Sequence, residues 1–325
     1  MKLSIVIPTH NRSQYLEKCL DSITRQTLSA DMFEIIVVDN NSTDNTALVV
    51  GRFKDRIQNL RYLFEGIPGL HSGRHRGMKE SKSDILVFAD DDIIAFPSWL
   101  EGISESFEDN EVVLAGGNNF PKFEVEPPSW LSDLWNRKME YGKALGYLSI
   151  LDFGNRKKQI SPYYIWGCNF SIRKNMLLKF KGFHPDSMPD NLKKFRGDGE
   201  TYISEEINKS KLKAVFNPNS SVFHFVPIER MTLQYFYKRA FLQGISSSYN
   251  NIRKLKKMNR IIKFKTDMTY YKKNNKIKLK KLFKKITNVE EILEQGFLDG
   301  FHYHQLEVLK DNKLLAWVLK DNYLE

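Results

Sequence analysis

The sequence predicts a doubly wound α/β fold over residues 1–228, followed by a mainly helical, lysine-rich extension over residues 229–325. Short apolar runs of strand length alternate with segments whose apolar residues recur every three or four positions, the spacing of a helix that buries one face. Polar or acidic residues follow several of these runs, at the strand ends where open α/β sheets bind ligands. The sheet is therefore expected to be mixed but mostly parallel, with helices on both faces.

The first unit of this pattern is a strand over Leu3–Ile7 followed by a helix. Pro8 is expected to end the strand, because proline has no N–H to donate to a central ladder. Ser13 is expected to cap the helix. The buried face of this helix is predicted to consist of Leu16, Cys19, Leu20 and Ile23.

Further strands follow in the same manner. Phe33–Val38 ends at the carboxylate of Asp39, and the turn and cap formers after it lead into a second helix. Strands are also predicted over Leu60–Phe64 and Ile85–Ala89. Beyond Trp99 a helix is expected, and then a strand over Val112–Ala115, whereas residues 121–161 show no clear period.

The stretch Ile85–Asp92, ILVFADDD, carries the main indication of a site. An apolar run of this length suits a strand that is covered on both faces of a parallel sheet. Three adjacent carboxylates repel one another unless a hard divalent cation with oxygen ligands compensates them. Asp90 and Asp92 are therefore predicted to form a metal and phosphate site. The alternative is a solvated acidic turn or helix start.

No glycine-rich phosphate loop accompanies this fold in the sequence. The first strand is not followed by G-x-G-x-x-G, and no P-loop lysine motif occurs. A metal that bridges the phosphates of a nucleotide is the remaining solution, which again indicates Asp90 and Asp92.

Cysteine usage and hydropathy favour a cytoplasmic protein. Cys19 and Cys168 lie far apart and outside any C-x-x-C pair, which predicts neither a disulfide framework nor a zinc cluster. The apolar run before Pro8 is too short for the core of a signal peptide. No stretch approaches the roughly 18 to 20 apolar residues of a membrane-spanning helix.

The positive charge of the chain is concentrated in one segment. Between Arg253 and Lys285, fifteen Lys or Arg residues stand against the single acid Asp267, whereas the whole chain carries +11. Aromatic and aliphatic residues are interleaved with these lysines. The segment is predicted to hold the protein on an anionic membrane surface, at the inner face of the cell membrane. The alternatives are a solvated helix face or an acidic partner.

Four blocks of the sequence resemble glycosyltransferase family 2 enzymes, which have the GT-A fold. SIVIPTHNR is similar to the family's opening strand, IIVVDNNSTDNT to its next block, and GLHSGRHRGMKESKSDILVFADDD to the block that leads to the metal site. YYIWGCNFSIR is similar to the family's G-x-N-x-x-x-R block. The resemblance covers residues 1–226 and implies an inverting transferase with a nucleotide-sugar donor.

The resemblance implies roles for individual residues. Pro8 and Thr9 would lie beside the nucleotide, Asp39 would contact the uridine, and Arg74 occupies the family's arginine position near the nucleotide. Trp166 either stacks on a sugar or packs in the core. The residues predicted to bind the nucleotide sugar are Pro8, Thr9, Asn11, Arg12, Asp39, Arg74, Asp90, Asp91 and Trp166.

For the metal, the resemblance adds His224 to Asp90 and Asp92. Val215–Phe225 is similar to the family's closing strand, where in some members a histidine completes the metal shell. The alternative is a core histidine. The expected ion is Mn²⁺ or Mg²⁺, whose charge would neutralise the leaving diphosphate.

A pair of carboxylates is predicted to supply the catalytic base. Inverting sugar transfer needs a base to take the proton of the acceptor hydroxyl. The family places it in an acidic pair before a helix, and in FRGDGETYISEEI a glycine separates the two candidates, Asp198 and Glu200. Asp198 is the preferred base. The alternative is that both acids complement the dipole of the following helix. In a nearby loop, His184 stands where the family usually has an acid.

Residues 1–228 are therefore predicted to form a GT-A nucleotide-sugar-binding and catalytic domain, and residues 229–325 to serve acceptor or membrane association. The expected function is metal-dependent transfer of a sugar from a UDP-linked donor to a glycan or lipid-linked acceptor, as in cell-surface polysaccharide synthesis. Residues 121–161 are placed on the acceptor side.

Two other functions are alternatives to this one. A sugar-nucleotide pyrophosphorylase would need a glycine- and basic-rich loop after the first strand, where PTHNR stands. A nucleic-acid-binding protein would explain the lysines but not the acids at the strand ends.

Overall fold

The computed structural model describes residues 2–259, 261, 264, 267–275 and 289–325. Numbered along the chain, its strands are β1 (Leu3–Thr9), β2 (Phe33–Asp39), β3 (Leu60–Phe64), β4 (Ile85–Ala89), β5 (Ile93–Ala95), β6 (Val112–Gly116), β7 (Asn119–Phe123), β8 (Lys143–Leu145), β9 (Ile150–Asp152), β10 (Lys158–Gln159), β11 (Asn169–Arg173), β12 (Lys213–Phe216) and β13 (Val222–Val226). Its helices are α1 (Ser13–Ile23), α2 (Thr46–Phe53), α3 (Leu70–Glu80), α4 (Trp99–Ser106), α5 (Ser129–Trp135), α6 (Lys174–Lys179), α7 (Glu200–Lys209), α8 (Leu233–Leu255), α9 (Val289–Lys310) and α10 (Asn312–Leu319).

The main sheet of the described chain has eight strands in the order β10-β12-β6-β11-β4-β1-β2-β3. β1 lies between β2 and β4 and is parallel to both, whereas β11 is antiparallel to its neighbours β4 and β6. This mixed sheet, flanked by helices, confirms the predicted fold class. The parallel strands bring their carboxyl ends to one edge, where Thr9, Asp39 and Asp90 lie.

Side chains of the central strands alternate between two cores on opposite faces of the sheet. Ile5 of β1 belongs to the core that contains Leu16 of α1, whereas Val6 belongs to the core that contains Met78 of α3 and Ile203 of α7. Both faces of the central strands are therefore covered, as their continuous apolar runs predict.

Two expectations for the first unit are wrong. β1 continues through Pro8 to Thr9, because β4 pairs with β1 only as far as Val6 and Pro8 therefore has a neighbouring strand on one side alone. Ser13 is the first residue of α1 rather than its cap. Its N–H donates to the carboxylate of Asp44 at 2.9 Å, so a side chain from another segment satisfies this helix end.

A second sheet, with five described strands in the order β5-β13-β7-β9-β8, gives residues 121–161 a regular structure that their sequence does not reveal. The single closing strand predicted over Val215–Phe225 is also wrong. A short 3₁₀ helix, Pro218–Ser220, divides it into β12 in the main sheet and β13 in the second. β13 pairs with β5 so that His224 stands opposite Ile93, directly after Asp92.

The predicted helix after residue 229 is α8, which packs along α9. Phe236, Ala240 and Gly244 of α8 are buried. A Cβ on Gly244 would clash with the Phe297 carbonyl, and a Cβ on Gly300 with the Phe241 carbonyl. The two helix backbones are therefore in direct contact, which glycine permits.

The end of the chain contacts both α3 and α8. Lys79 Nζ on α3 donates to the Leu324 carbonyl at 2.8 Å, and the buried Tyr323 hydroxyl lies 2.9 Å from that of Tyr249 on α8. The division at residue 228 stays a prediction. Of the lysine-rich segment, residues 260, 262–263, 265–266 and 276–288 lie outside the described residues. Among the described helices, none combines the length and the apolar composition needed to cross a bilayer.

Candidate functional site

A cavity of about 1400 Å³ lies at the carboxyl ends of β1 and β4 and extends along α8. Most of the residues singled out in the sequence line it: Pro8, Thr9, Arg12, Arg74, Asp90, Asp91, Trp166, Asp198, Glu200 and His224. Segments far apart in the sequence thus meet at one site. The other predicted residues, Asn11, Asp39 and Asp92, are not among the lining residues.

Asp92 is buried beside the cavity among three basic side chains. Its Oδ2 lies 2.6 Å from Arg12 Nη2 and 3.0 Å from Arg230 Nη2, and its Oδ1 lies 3.2 Å from His224 Nε2. Burial alone would raise the pKa of Asp92, but the charges of His224, Arg12 and Arg230 hold it well below its usual range. Asp92 is therefore a carboxylate at neutral pH.

Asp91 connects the turn after β4 to the end of β1. The Thr9 hydroxyl donates to Asp91 Oδ2 at 2.7 Å, and Arg12 Nε lies 3.3 Å from Asp91 Oδ1. Burial raises the pKa of Asp91, while the charge of Arg12 opposes this shift. These contacts hold Thr9, Arg12 and Asp91 together at the rim of the cavity, and their contacts with a nucleotide sugar stay predictions.

Asp90, Asp92 and His224 form a group that can hold a cation. One ligand atom from each lies within 4.8 Å of the others. His224 Nδ1 is buried without a hydrogen-bond partner among the described residues, which is rare unless an ion or water satisfies such an atom. Asp92 Oδ1 has only the 3.2 Å ion-pair contact with His224 Nε2 within that part of the chain. Two carboxylates and an imidazole are suitable ligands for Mn²⁺, and the carboxylates for Mg²⁺. The residues present therefore fit the predicted metal.

Asp39 and Asn11 are engaged by neighbouring loops. The Asp39 carboxylate accepts hydrogen bonds from the Tyr62 hydroxyl and from the Ser42 N–H, both at 2.7 Å. Asn11, with a φ of 54°, accepts the Thr43 N–H through Oδ1 at 2.7 Å. Both side chains fix the loops after β1 and β2, and their predicted contacts with the nucleotide stay predictions.

Arg74 on α3 connects the acids after β4 with the start of α7. Its buried guanidinium lies 3.6 Å from Asp90 Oδ1 and 3.4 Å from Glu200 Oε2, and it donates to the Gly167 carbonyl at 3.1 Å. One cation thus balances two carboxylates and keeps them near each other. The predicted metal ligand Asp90 and the predicted base pair consequently share one wall of the cavity.

Gly199, between the two candidate bases, is required by the turn into α7. Its φ is 56°, a region that glycine enters without steric cost. A Cβ there would lie 2.6 Å from Asp186 Oδ2. The glycine that interrupts the acidic pair therefore has a structural cause, and Glu200 becomes the first residue of α7, as the helix-dipole alternative expects.

Asp198 and Glu200 differ in accessibility. The Asp198 side chain is 3% exposed, its Oδ1 lies 2.6 Å from His184 Nδ1, and its Oδ2 is buried without a hydrogen-bond partner in the described part of the chain. The Glu200 side chain is 24% exposed and held only by longer contacts, 3.4 Å to Arg74 and 3.3 Å to the Gly167 N–H. A hydroxyl in the cavity therefore reaches Glu200 more readily than Asp198.

His184, to which the sequence analysis gave no role, holds Asp198 from within a cluster of aromatic rings. Its ring is stacked on Tyr202 at 3.7 Å and meets Tyr249 and Tyr323 edge-on at 5.5 and 5.4 Å. Tyr249 belongs to α8 and Tyr323 to the end of the chain. A histidine at a position where the family usually has an acid marks this residue in the sequence. Its contacts could not be predicted from the sequence, because the rings around it come from distant segments.

Two further residues line the cavity. Trp166 is half-buried, packs against both cores and donates its indole N–H to the Tyr163 carbonyl at 2.9 Å, and its stacking on a sugar stays a prediction. Arg230, which pairs with Asp92, was missed. A single arginine after a strand forms no pattern in a sequence.

Comparison with known families gives a match between residues 4–180 and the model described as glycosyl transferase family 2. The matched residues include β1 to β4, the acidic turn after β4, and β11. They end before Asp198 and Glu200, and before α8.

Two curated relatives match over the first part of the chain. The glycosyltransferase AglE of Haloferax volcanii is 34% identical over 117 residues, which are 36% of this chain and 38% of that protein. A poly(ribitol-phosphate) beta-glucosyltransferase of Bacillus spizizenii is 33% identical over 121 residues, 36% of this chain and 19% of that protein. The chain thus matches well under half the length of these relatives.

Among solved structures, a mannosyltransferase from Pyrobaculum calidifontis in complex with GDP-Man and Mn²⁺ has a TM-score of 0.54 at 15% identity. The likeness covers 98% of this chain and 72% of that chain. At this identity it bears on the fold, and it confirms the predicted arrangement of a mixed sheet flanked by helices.

Proposed function

The chain belongs to glycosyl transferase family 2, and on this premise we propose that it transfers a sugar from a UDP-linked donor to a hydroxyl of a glycan or lipid-linked acceptor, with inversion at the anomeric carbon. It is a glycosyltransferase of GT-A type fold. The observation that carries the finer proposal is the group Asp90, Asp92 and His224, whose ligand atoms lie within 4.8 Å of one another at the carboxyl end of β4.

We assign the donor diphosphate to this end of the cavity. A Mn²⁺ or Mg²⁺ ion held by Asp90, Asp92 and His224 would supply positive charge for the leaving group. Arg12 and Arg230, which both contact Asp92, add fixed positive charge that needs no reorganisation during the reaction. Thr9 and Pro8 line the same end of the cavity, which supports placing the nucleotide there.

We assign the base to Glu200 rather than to Asp198, because Glu200 is the more exposed of the two carboxylates. The acceptor oxygen attacks the anomeric carbon, and its proton passes to Glu200. The bond from the anomeric carbon to the diphosphate oxygen breaks, and its electron pair leaves with the nucleoside diphosphate. Asp198 and His184 are proposed to hold the turn that presents Glu200.

A panel of UDP- and GDP-sugars tests the proposal. With Mn²⁺ and glycan or lipid-linked acceptors, we expect one donor to be turned over with release of its nucleoside diphosphate. EDTA should reduce this rate by at least about 100-fold, and added Mn²⁺ should restore it, because the leaving group then regains its counter-charge. Rates that are equal in EDTA and in Mn²⁺ would contradict metal dependence. Nuclease activity, or synthesis of UDP-sugars from UTP, without any transfer would favour the other two functions.

The described part of the lysine-rich segment supports association with an anionic membrane surface. Residues 261, 264 and 267–275 are helical. Ile261, Phe264, Met268 and Tyr271 recur at helical spacing and are each between 57% and 68% exposed. A solvent-exposed apolar stripe among lysines suits the boundary between headgroups and acyl chains. Each basic residue near an anionic leaflet adds about 1 kcal/mol to binding.

Vesicle sedimentation tests this association. Binding of the full chain should rise with the fraction of phosphatidylglycerol in phosphatidylcholine vesicles. It should fall when six lysines between Arg253 and Lys285 are replaced by glutamine, and also in Phe264→Ser. Replacing six lysines elsewhere on the surface is the matched control and should leave binding unchanged. Equal binding to neutral and anionic vesicles would refute the association.

A further inference from the structure

The cavity continues beyond the proposed donor and base along one side of α8. The α8 residues that line it are polar and lie on one side of the helix, where they form a single stripe: Tyr235, Arg239, Gln243, Ser246, Ser247, Asn250, Asn251 and Lys254. At 1.5 Å per residue this stripe is about 28 Å long. The opposite face of α8 packs on α9, so the polar stripe is available to a molecule in the cavity.

Arg239 is the partly buried cation of this stripe. It makes no hydrogen bond or ion pair with the residues that the structure describes, and its Nε is buried without a partner. Asp186, which also lines the cavity, is already paired through Oδ1 with Arg196 at 2.6 Å and with the Ser187 N–H at 2.7 Å. Burial would raise the pKa of Asp186, but the charges of Arg196, Arg74 and Arg239 lower it. No carboxylate of the described residues pairs with Arg239 itself, so an added anion would meet a charge that is not balanced.

The stripe runs past the turn that carries the proposed base. Arg196 Nε donates to Ser246 Oγ of α8 at 3.2 Å, and the Ser246 hydroxyl donates at 2.5 Å to the carbonyl of Gly197, which lies in the turn before Glu200. A molecule that presents its hydroxyl to Glu200 can therefore extend along the stripe to Arg239.

We propose that Arg239 binds a phosphate group of the acceptor. A guanidinium can donate two parallel hydrogen bonds to a phosphate, which gives both affinity and orientation. The neutral amides of Gln243 and Asn250 suit the hydroxyl groups of a sugar or polyol that extends along α8. The acceptor is thus a phosphate-bearing glycan or polyol. This inference rests on the proposed function, which defines the donor and acceptor sides.

Binding of glucose 6-phosphate and of glucose tests the proposal. The full chain is first saturated with UDP and Mn²⁺ to fill the donor site, and affinities are then measured by ligand-observed NMR. We expect the wild type to bind glucose 6-phosphate about 10- to 100-fold more tightly than glucose, the range for hydrogen bonds to a charged group. Arg239→Gln should remove this preference. Arg239→Lys should retain part of it, because lysine keeps the positive charge but cannot donate two parallel hydrogen bonds.

Lys238→Gln is the matched control. Lys238 is the preceding residue of α8, is 56% exposed and pairs with Asp190 at 3.1 Å, so this variant loses the same charge away from the cavity. It should bind glucose 6-phosphate as the wild type does. Equal affinities of the wild type for glucose and glucose 6-phosphate, or equal losses in Arg239→Gln and Lys238→Gln, would overturn the proposal. Unfolding temperatures of the variants report whether they are folded.

Two acceptor probes distinguish the source of the phosphate. A short phosphodiester-linked polyol in solution represents a polymer, and a polyprenyl diphosphate sugar in uncharged micelles represents a lipid-linked glycan. The probe whose affinity depends more strongly on Arg239 identifies the source. UDP binding by the wild type is read separately. If UDP fails to bind while the phosphate preference and its loss in Arg239→Gln persist, the donor assignment fails and the anion site stands.

Discussion

Glu200→Gln should lower turnover by about two to four orders of magnitude while the affinity for the donor changes little. Glutamine keeps an oxygen that accepts the Gly167 N–H, so the start of α7 is retained, but it cannot take the proton of the acceptor hydroxyl. Steady-state turnover measured at saturating donor and acceptor, together with the donor dissociation constant, separates the two effects.

Asp198→Asn is the comparison that decides between the two carboxylates. Asparagine still offers an oxygen to His184 Nδ1, so we expect turnover within roughly tenfold of the wild type, the cost of weakening one buried hydrogen bond to a charged group. If Asp198→Asn shows the large loss and Glu200→Gln does not, the roles are exchanged and Asp198 is the base, as the sequence alone suggested.

Asp92→Asn should abolish metal-dependent donor binding and lower turnover by about 1000-fold or more, because the site loses a buried carboxylate ligand. The substitution also removes the partner of Arg230 and one partner of Arg12. Because breaking a buried ion pair costs about 3 kcal/mol, the free energy of unfolding should fall as well. Calorimetry gives donor and Mn²⁺ binding, and urea unfolding gives the stability.

The variant Asp90→Asn shows whether donor binding is lost because the metal is lost or because the fold is less stable. The Asp90 side chain is 31% exposed and its main ion pair is a 3.6 Å contact with Arg74, so its removal should change stability by less than about 1 kcal/mol. It should nevertheless share the loss of metal-dependent donor binding. If donor binding by Asp92→Asn and by Asp90→Asn depends on the metal as in the wild type, the assignment of the metal site is wrong.

The sequence predicted the sheet and the position of the site because those features are local. ILVFA forms β4 within the predicted bounds, and the acids follow it at the carboxyl edge. Strand length, apolar runs and turn formers act over a few residues, so a single sequence reveals them.

The errors and omissions arise from contacts between distant segments. The surroundings of Asp92 are built by Arg12 from the loop after β1, and by His224 and Arg230 from β13 and the turn that follows it. The choice between Asp198 and Glu200 depends on burial, which follows from how α7, α8 and the end of the chain pack. Such information is absent from local composition.

The central claim is that Asp90, Asp92 and His224 bind a divalent cation together with the diphosphate of a nucleotide sugar. Titration calorimetry of UDP into the wild type, with Mn²⁺ and with EDTA, tests it most directly. We predict saturable UDP binding that is at least about tenfold tighter with Mn²⁺ than with EDTA, since the cation offsets the charge of the diphosphate. The claim would be contradicted if UDP bound equally tightly with Mn²⁺ and with EDTA. It would also be contradicted if neither UDP nor GDP bound in either condition.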